Sequence, residues 1–95
     1  MHFVYVLRSL KDGSTYVGET GKQPSERLQE HDWGITPWTR AHRPFALAFF
    51  EMFQTRELAL KRERFFKSGK GRQVLRSKLD EISRATSSTG RALAS

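Results

Sequence analysis

The apolar pattern begins at once. Residues 2–8, His-Phe-Val-Tyr-Val-Leu-Arg, are β-branched and aromatic and predict a strand. Both of its faces are apolar, with Phe3, Tyr5 and Leu7 on one and Val4 and Val6 on the other. A strand of that kind belongs in the middle of a sheet that is covered on both sides. Lys11-Asp12-Gly13-Ser14 signals a turn, and Thr15-Tyr16-Val17-Gly18 predicts a second short strand that closes a hairpin. A two-residue turn at Asp12-Gly13 would set Ser9 opposite Tyr16, and a loop over residues 9–12 would set Tyr5 opposite Tyr16. In either register the two tyrosines project from one face.

Pro24 suits the first turn of a helix over about residues 24–31, with Leu28 inward. Residues 32–44, with Gly34, Pro37 and Pro44, read as a loop that carries Trp33, Trp38, Arg40 and Arg43. A third strand runs from about Phe45 to Phe53, with Ala46, Ala48, Phe50 and Met52 expected on one face. Thr55 can cap a second helix reaching Ser68, and Gly69 and Gly71 interrupt it. A third helix, about 72–83, has a stripe of Leu75, Leu79 and Ile82. The expected fold is α+β: a small central three-stranded sheet flanked by helices, in the order β-β-α-β-α-α. One domain spans 1–83, and 84–95 is expected to be a disordered tail.

Composition narrows the chemistry. There are 95 residues and no cysteine, so thiolate-held zinc is excluded, and His2, His31 and His42 lack zinc spacing. A catalytic metal would need oxygen ligands, which favours magnesium or manganese. The net charge of +7 suits a polyanionic partner such as nucleic acid. No apolar run approaches the roughly 20 residues of a spanning helix, so no membrane role is expected. The N-terminus passes directly into strand pattern, and the expected location is cytoplasmic.

Several residues could carry function, each with a plainer alternative. Tyr5 and Tyr16 read equally as two aromatics packing on a sheet. Glu63 shares a helical face with Ala59 and Phe66, where a carboxylate is costly unless paired with a cation or metal; an ordinary ion pair with Arg56, Arg62 or Lys67 would serve equally. Arg27 and His31, four apart, could bind phosphate and assist proton transfer, or form a solvated face. Lys67-Ser-Gly-Lys70-Gly71-Arg72 could receive phosphate at a helix start, or be an ordinary turn. It lacks the spacing of a nucleotide-binding loop, so no nucleotide cofactor is expected. Trp33 and Trp38 could stack bases or lid a small core.

Together these residues resemble the GIY-YIG nucleases, in their small stand-alone bacterial form. Phe3-Val4-Tyr5 corresponds to the first motif and Tyr16-Val17-Gly18 to the second. Arg27-Leu28-Gln29-Glu30-His31, Arg43-Pro44, Ala59-Leu60-Lys61-Arg62-Glu63 and the run Phe66 to Arg72 extend the likeness over about residues 2–80. Phe3 departs from the motif's glycine, and the interval from Tyr16 to Arg27 is one residue longer than usual. The resemblance implies a metal-dependent endonuclease hydrolysing phosphodiester bonds in DNA, single-stranded and branched forms included. Its catalytic set would be Tyr5, Tyr16, Arg27, His31 and Glu63. Glu63 would hold a single Mg²⁺ or Mn²⁺, Tyr16 would activate or position water, and Arg27 would stabilise transition-state charge. Arg40, Arg43, Lys67, Lys70 and Arg72 would contact nucleic acid. The alternative is a non-catalytic nucleic-acid-binding module on the same fold.

Overall fold

A computed structural model describes residues 1–94, with side chains described through Arg84. The chain forms strands β1 (His2–Ser9) and β2 (Thr15–Thr20), helices α1 (Pro24–Asp32) and α2 (Pro37–His42), strand β3 (Phe45–Phe53), and helices α3 (Arg56–Lys67) and α4 (Gly69–Ala94). The α+β class and the three-stranded sheet are as expected; the sheet is antiparallel throughout, in the order β2-β1-β3. Residues Met1–Arg64 and Phe65–Ser95 form two compact units.

In the first unit β1 is central, as its two apolar faces require: Phe3, Val4, Tyr5, Val6 and Leu7 are all buried. The hairpin register is neither of the two anticipated. Its loop is Leu10–Gly13, which places Ser9 against Ser14 and pairs Tyr5 with Gly18 and Leu7 with Tyr16. The buried Ser9 hydroxyl explains the longer loop, because it accepts from the Lys11 and Asp12 amides at 3.1 and 3.2 Å. Gly13, at φ +78°, then turns the chain in the left-handed region open to glycine. The tyrosines still share a face, as diagonal rather than direct neighbours.

The third strand also departs from simple alternation. Val6 pairs with Phe49 but Leu7 pairs with Leu47, so Ala48 is an extra residue, a β-bulge. Phe45 and Leu47 therefore share a face with Phe50 and Met52, whereas Ala46 lies on the other. The expected row Ala46, Ala48, Phe50, Met52 is wrong for that reason.

Each face of the sheet has its own core. Tyr5, Leu7 and Phe45 are buried on the first, with Tyr16, Leu28 and Leu47 packed against them. Helix α1 lies on this face, and its last residue anchors β3 as the Phe45 amide donates to Asp32 Oδ1 at 2.7 Å. Val4, Val6 and Val17 are buried on the second face. There Arg62 of α3 makes a forked ion pair to Glu51, at 2.8 and 3.3 Å, and Arg56 pairs with Glu19 at 3.5 Å. Ala59, fully buried, sits midway between the two arginines along α3.

The segment expected to be a loop holds helix α2. Gly34, at φ +70°, reverses the chain after α1, and a Cβ there would fall 2.4 Å from Arg40 Cγ. Thr36 then caps α2: its hydroxyl accepts from the Thr39 amide at 3.1 Å, and the Thr39 hydroxyl accepts from the Thr36 amide at 3.0 Å.

In the second unit the α3–α4 junction is tight. Ser68 Oγ donates to the Phe65 carbonyl at 2.6 Å and accepts from the Gly71 amide at 3.1 Å. A Cβ at Gly71 would fall 1.5 Å from the Phe65 carbonyl oxygen, so only glycine fits. Helix α4 continues well past the expected end near Ser83. Its backbone takes in 84–94, within the stretch expected as a disordered tail, while the side chains of 85–95 lie outside the described residues. Among the described residues, no helix is long and apolar enough to cross a membrane.

These positions set the stability expectations. Leu7→Ala is expected to cost about 2–5 kcal/mol in urea denaturation, from lost transfer energy and the cavity left behind. Met52→Ser, at a residue 57% exposed on the same face, is expected to stay within about 0.5 kcal/mol of the parent.

Candidate active site

The site begins at the middle of β1. Tyr5 is fully buried, and its hydroxyl must find partners. Helix α1 supplies them from two residues one turn apart: Arg27 Nε donates to Tyr5 Oη at 3.3 Å, and His31 Nε2 lies 3.2 Å from the same oxygen. The Arg27 guanidinium carbon is 5.9 Å from the centre of the Tyr5 ring, within cation–π range.

Tyr16 completes the cluster from β2. Its ring centre is 6.0 Å from that of Tyr5 and 4.5 Å from that of His31. This packing explains the glycine two residues on. A Cβ at Gly18 would fall 2.6 Å from the Tyr5 hydroxyl oxygen and 2.9 Å from the Tyr16 ring, so both phenols lie over bare backbone.

The electrostatics follow from burial and from Arg27. Burial, partly offset by the Arg27 hydrogen bond and reinforced by Tyr16, pushes the Tyr5 phenol up to about 12. Burial first, and then the Arg27 charge, lower the pKa of His31, with Glu30 and Asp32 opposing. At neutral pH both residues are therefore uncharged. Tyr5 O–H can donate to His31 Nε2, which leaves the imidazole proton on Nδ1. Arg27 is itself held in its charged form: burial opposes this, but Tyr5 and Glu30 outweigh it. Glu30 forms an ion pair with Arg27 and a second with Lys22 at 2.9 Å. Lys22 first, and then the Arg27 charge, hold the Glu30 carboxyl below its usual range.

Beside this cluster opens a pocket of about 270 Å³, lined by Tyr16, Arg27, Glu30, His31, Ile35, Thr36, Trp38 and Thr39. Trp38, from α2, packs against Phe45 and Tyr16 with ring centres 5.7 and 5.8 Å apart. It therefore lids the core, while Trp33 is 67% exposed. His42 is set apart from the pocket lining. Its Nδ1 is 2.7 Å from Asp12 Oδ2 and its ring lies on Trp38, so it ties α2 to the hairpin.

Four of the five expected catalytic residues thus converge. Glu63 is not among the pocket-lining residues. It is half-buried on α3, on the opposite face of the sheet, and it has interactions of its own. Arg56 lies seven residues earlier and hence on the same flank of α3. Because Arg56 pairs with Glu19, the flank carrying Glu63 is the one turned towards β2, the strand of Tyr16.

Among the described residues, no three His, Asp or Glu side chains group to hold a metal ion. That donor set fits only an ion bound through one carboxylate, with water and phosphate oxygens completing its shell, as magnesium accepts. Of the residues expected to meet nucleic acid, Arg40 and Arg43 are exposed around Gly34 in the first unit. Lys67, Lys70 and Arg72 are exposed in the second. The helix start there is already engaged, since the Gly71 and Arg72 amides donate to Ser68.

Sequence reading did not single out Glu30, Ile35, Thr36 or Thr39. Glu30 is one residue from His31 and three from Arg27, and the i, i+3 spacing was the available signal for the ion pair. The others depended on recognising α2.

A tyrosine pair on β1 and β2 thus lies beneath an Arg–His pair on α1 in a small α+β fold. The family model described as the GIY-YIG catalytic domain matches residues 1–76, and the chain belongs to the GIY-YIG family. UPF0213 proteins of Staphylococcus aureus strains Mu3 and N315 are each 40% identical to it over 63 residues, covering 65% of this chain and 74% of theirs. The solution structure of the UPF0213 protein BH0048 from Bacillus halodurans is similar at 34% identity. It covers 80% of this chain and 82% of that one, with a TM-score of 0.47.

Two outcomes are expected. Gly18→Ala should cost about 1–3 kcal/mol in denaturant unfolding, because neither phenol can retreat. The lowered pKa of His31 makes the folded state bind fewer protons than the unfolded state below about pH 6.5. Stability should therefore fall as pH drops from 6.5, and thermal unfolding of His31→Gln should show a shallower fall.

Proposed function

We propose that this protein is a divalent-metal-dependent endonuclease that hydrolyses phosphodiester bonds in DNA. The observation that carries the reading is the meeting of Tyr16, Arg27 and His31 at one pocket. The family supports a nuclease and a nucleic-acid partner; the roles below are those the resemblance implies, with the geometry that bears on each.

Arg27 receives the phosphate. Its Nε is engaged by Tyr5 and its Nη1 by Glu30, which holds the guanidinium plane and leaves Nη2 for an anionic oxygen. Charge growing on the phosphoryl oxygens then meets a cation already oriented, which needs little reorganisation. Tyr5 does not serve as the base, because its phenol keeps its proton up to about pH 12. It orients Arg27 and His31 instead. Tyr16, at the pocket wall, positions the attacking water. His31 packs on the Tyr16 ring, 4.5 Å between centres, and holds it in place. Glu63 is the carboxylate that would hold Mg²⁺ or Mn²⁺, which when bound supplies positive charge to the phosphate and makes water more acidic.

The test is a cleavage panel of labelled single-stranded, duplex and branched DNAs with Mg²⁺, Mn²⁺ or EDTA. Cleavage is expected with either metal and none in EDTA. Arg27→Ala should lower kcat by about 10²–10³-fold, and Tyr16→Phe by about 10²-fold or more. Glu63→Ala should abolish cleavage while DNA binding persists. Full activity in Glu63→Ala would remove its metal role. Salt-sensitive binding without cleavage under any metal would replace the enzyme with a binding module.

A further inference from the structure

The pocket beside Arg27 has two unlike walls. One is polar, formed by Tyr16, Arg27, His31 and Glu30, whose carboxylate is held by Arg27 Nη1 and Lys22. The other is apolar, formed by Ile35 and Trp38, with Thr36 and Thr39 between them. The threonines add little polarity, because their hydroxyls bond each other at 3.0 Å and the backbone of α2's cap. Ile35 stands at the mouth 66% exposed, and Trp38 is 38% exposed. A phosphate needs only the first wall and would leave the second uncovered. A ligand filling both must be anionic at one end and flat or apolar at the other, within about 270 Å³.

The geometry points to a nucleotide-holding subsite: the phosphate on Arg27 and an unpaired base against Ile35 and Trp38. This rests on the nuclease reading and narrows its substrate to unpaired nucleotides. In a duplex each base is stacked on both faces and paired along its edge, so drawing it out carries an unstacking cost. A single strand, loop or flap offers the base without that cost. The chain's net charge of +7 attracts any DNA through its backbone, so it cannot discriminate among them. The apolar wall adds a contribution that depends on the base being present and accessible.

The experiment isolates Trp38 and works without cleavage. In the Trp33→Phe protein Trp38 is the sole tryptophan. It is titrated in EDTA with a single-stranded oligodeoxynucleotide, an abasic oligomer of the same length, and the corresponding duplex. The single strand should quench Trp38 emission and bind roughly tenfold more tightly than the abasic oligomer. The duplex should leave the emission unchanged. Ile35→Ser, at an exposed residue whose loss does not threaten folding, should bring the two single-stranded affinities together while their salt dependence persists. Equal affinity for abasic and base-bearing strands would overturn the subsite, as would duplex quenching of the same size or an undiminished preference in Ile35→Ser. Failure of every DNA to bind would remove the nuclease reading itself, whereas binding indifferent to the base removes only the subsite.

Discussion

One hydroxyl organises the first unit of this protein. Tyr5 is completely buried at the centre of the middle strand, and a buried phenol without partners would cost about 1–3 kcal/mol. Arg27 and His31 satisfy it, and in doing so they fix the rotation of α1 over the sheet. The same contacts hold a guanidinium at the pocket, while burial and then the Arg27 charge lower the pKa of the imidazole. Packing and chemistry are thus tied to a single atom. The bare backbone at Gly18 is the condition for both phenols to occupy that space.

Much of the fold was legible because its signals were local. A strand apolar on both faces declared itself central, and Pro24 marked the start of α1. The i, i+4 spacing of Arg27 and His31 put them on one helical face. What was not legible depended on contacts distant in sequence. The hairpin register turned on the Ser9 hydroxyl, which donates to the carbonyl of His42, 33 residues away. The bulge at Ala48 has no glycine or proline to announce it. Helix α2 has only six residues, and its cap pairs two threonines in place of the usual Ser/Thr with Glu/Gln.

The candidate site divides in the same way. Tyr5, Tyr16, Arg27 and His31 could be placed together once the sheet and α1 were read correctly. Glu63 could be read as an inward carboxylate, but not on which face of the sheet its helix would lie. That depends on Arg56 and Arg62 finding Glu19 and Glu51, two pairings that no spacing rule connects. The apolar wall of the pocket was hidden for a further reason: Ile35 and Trp38 flank a capping box within a stretch that reads as a loop.

The bulge in β3 divides that strand into two halves. Because Ala48 resets the alternation, Phe45 and Leu47 lie under α1 while Phe50 and Met52 continue the same face into solvent. Phe50 nevertheless stands opposite Tyr5, with its ring edge-on to Phe3 at 5.7 Å, so both halves serve the face that carries the tyrosines. The extra residue works as a change of phase, letting one edge strand set Leu47 against Leu7 and Phe50 against Tyr5 on a single face.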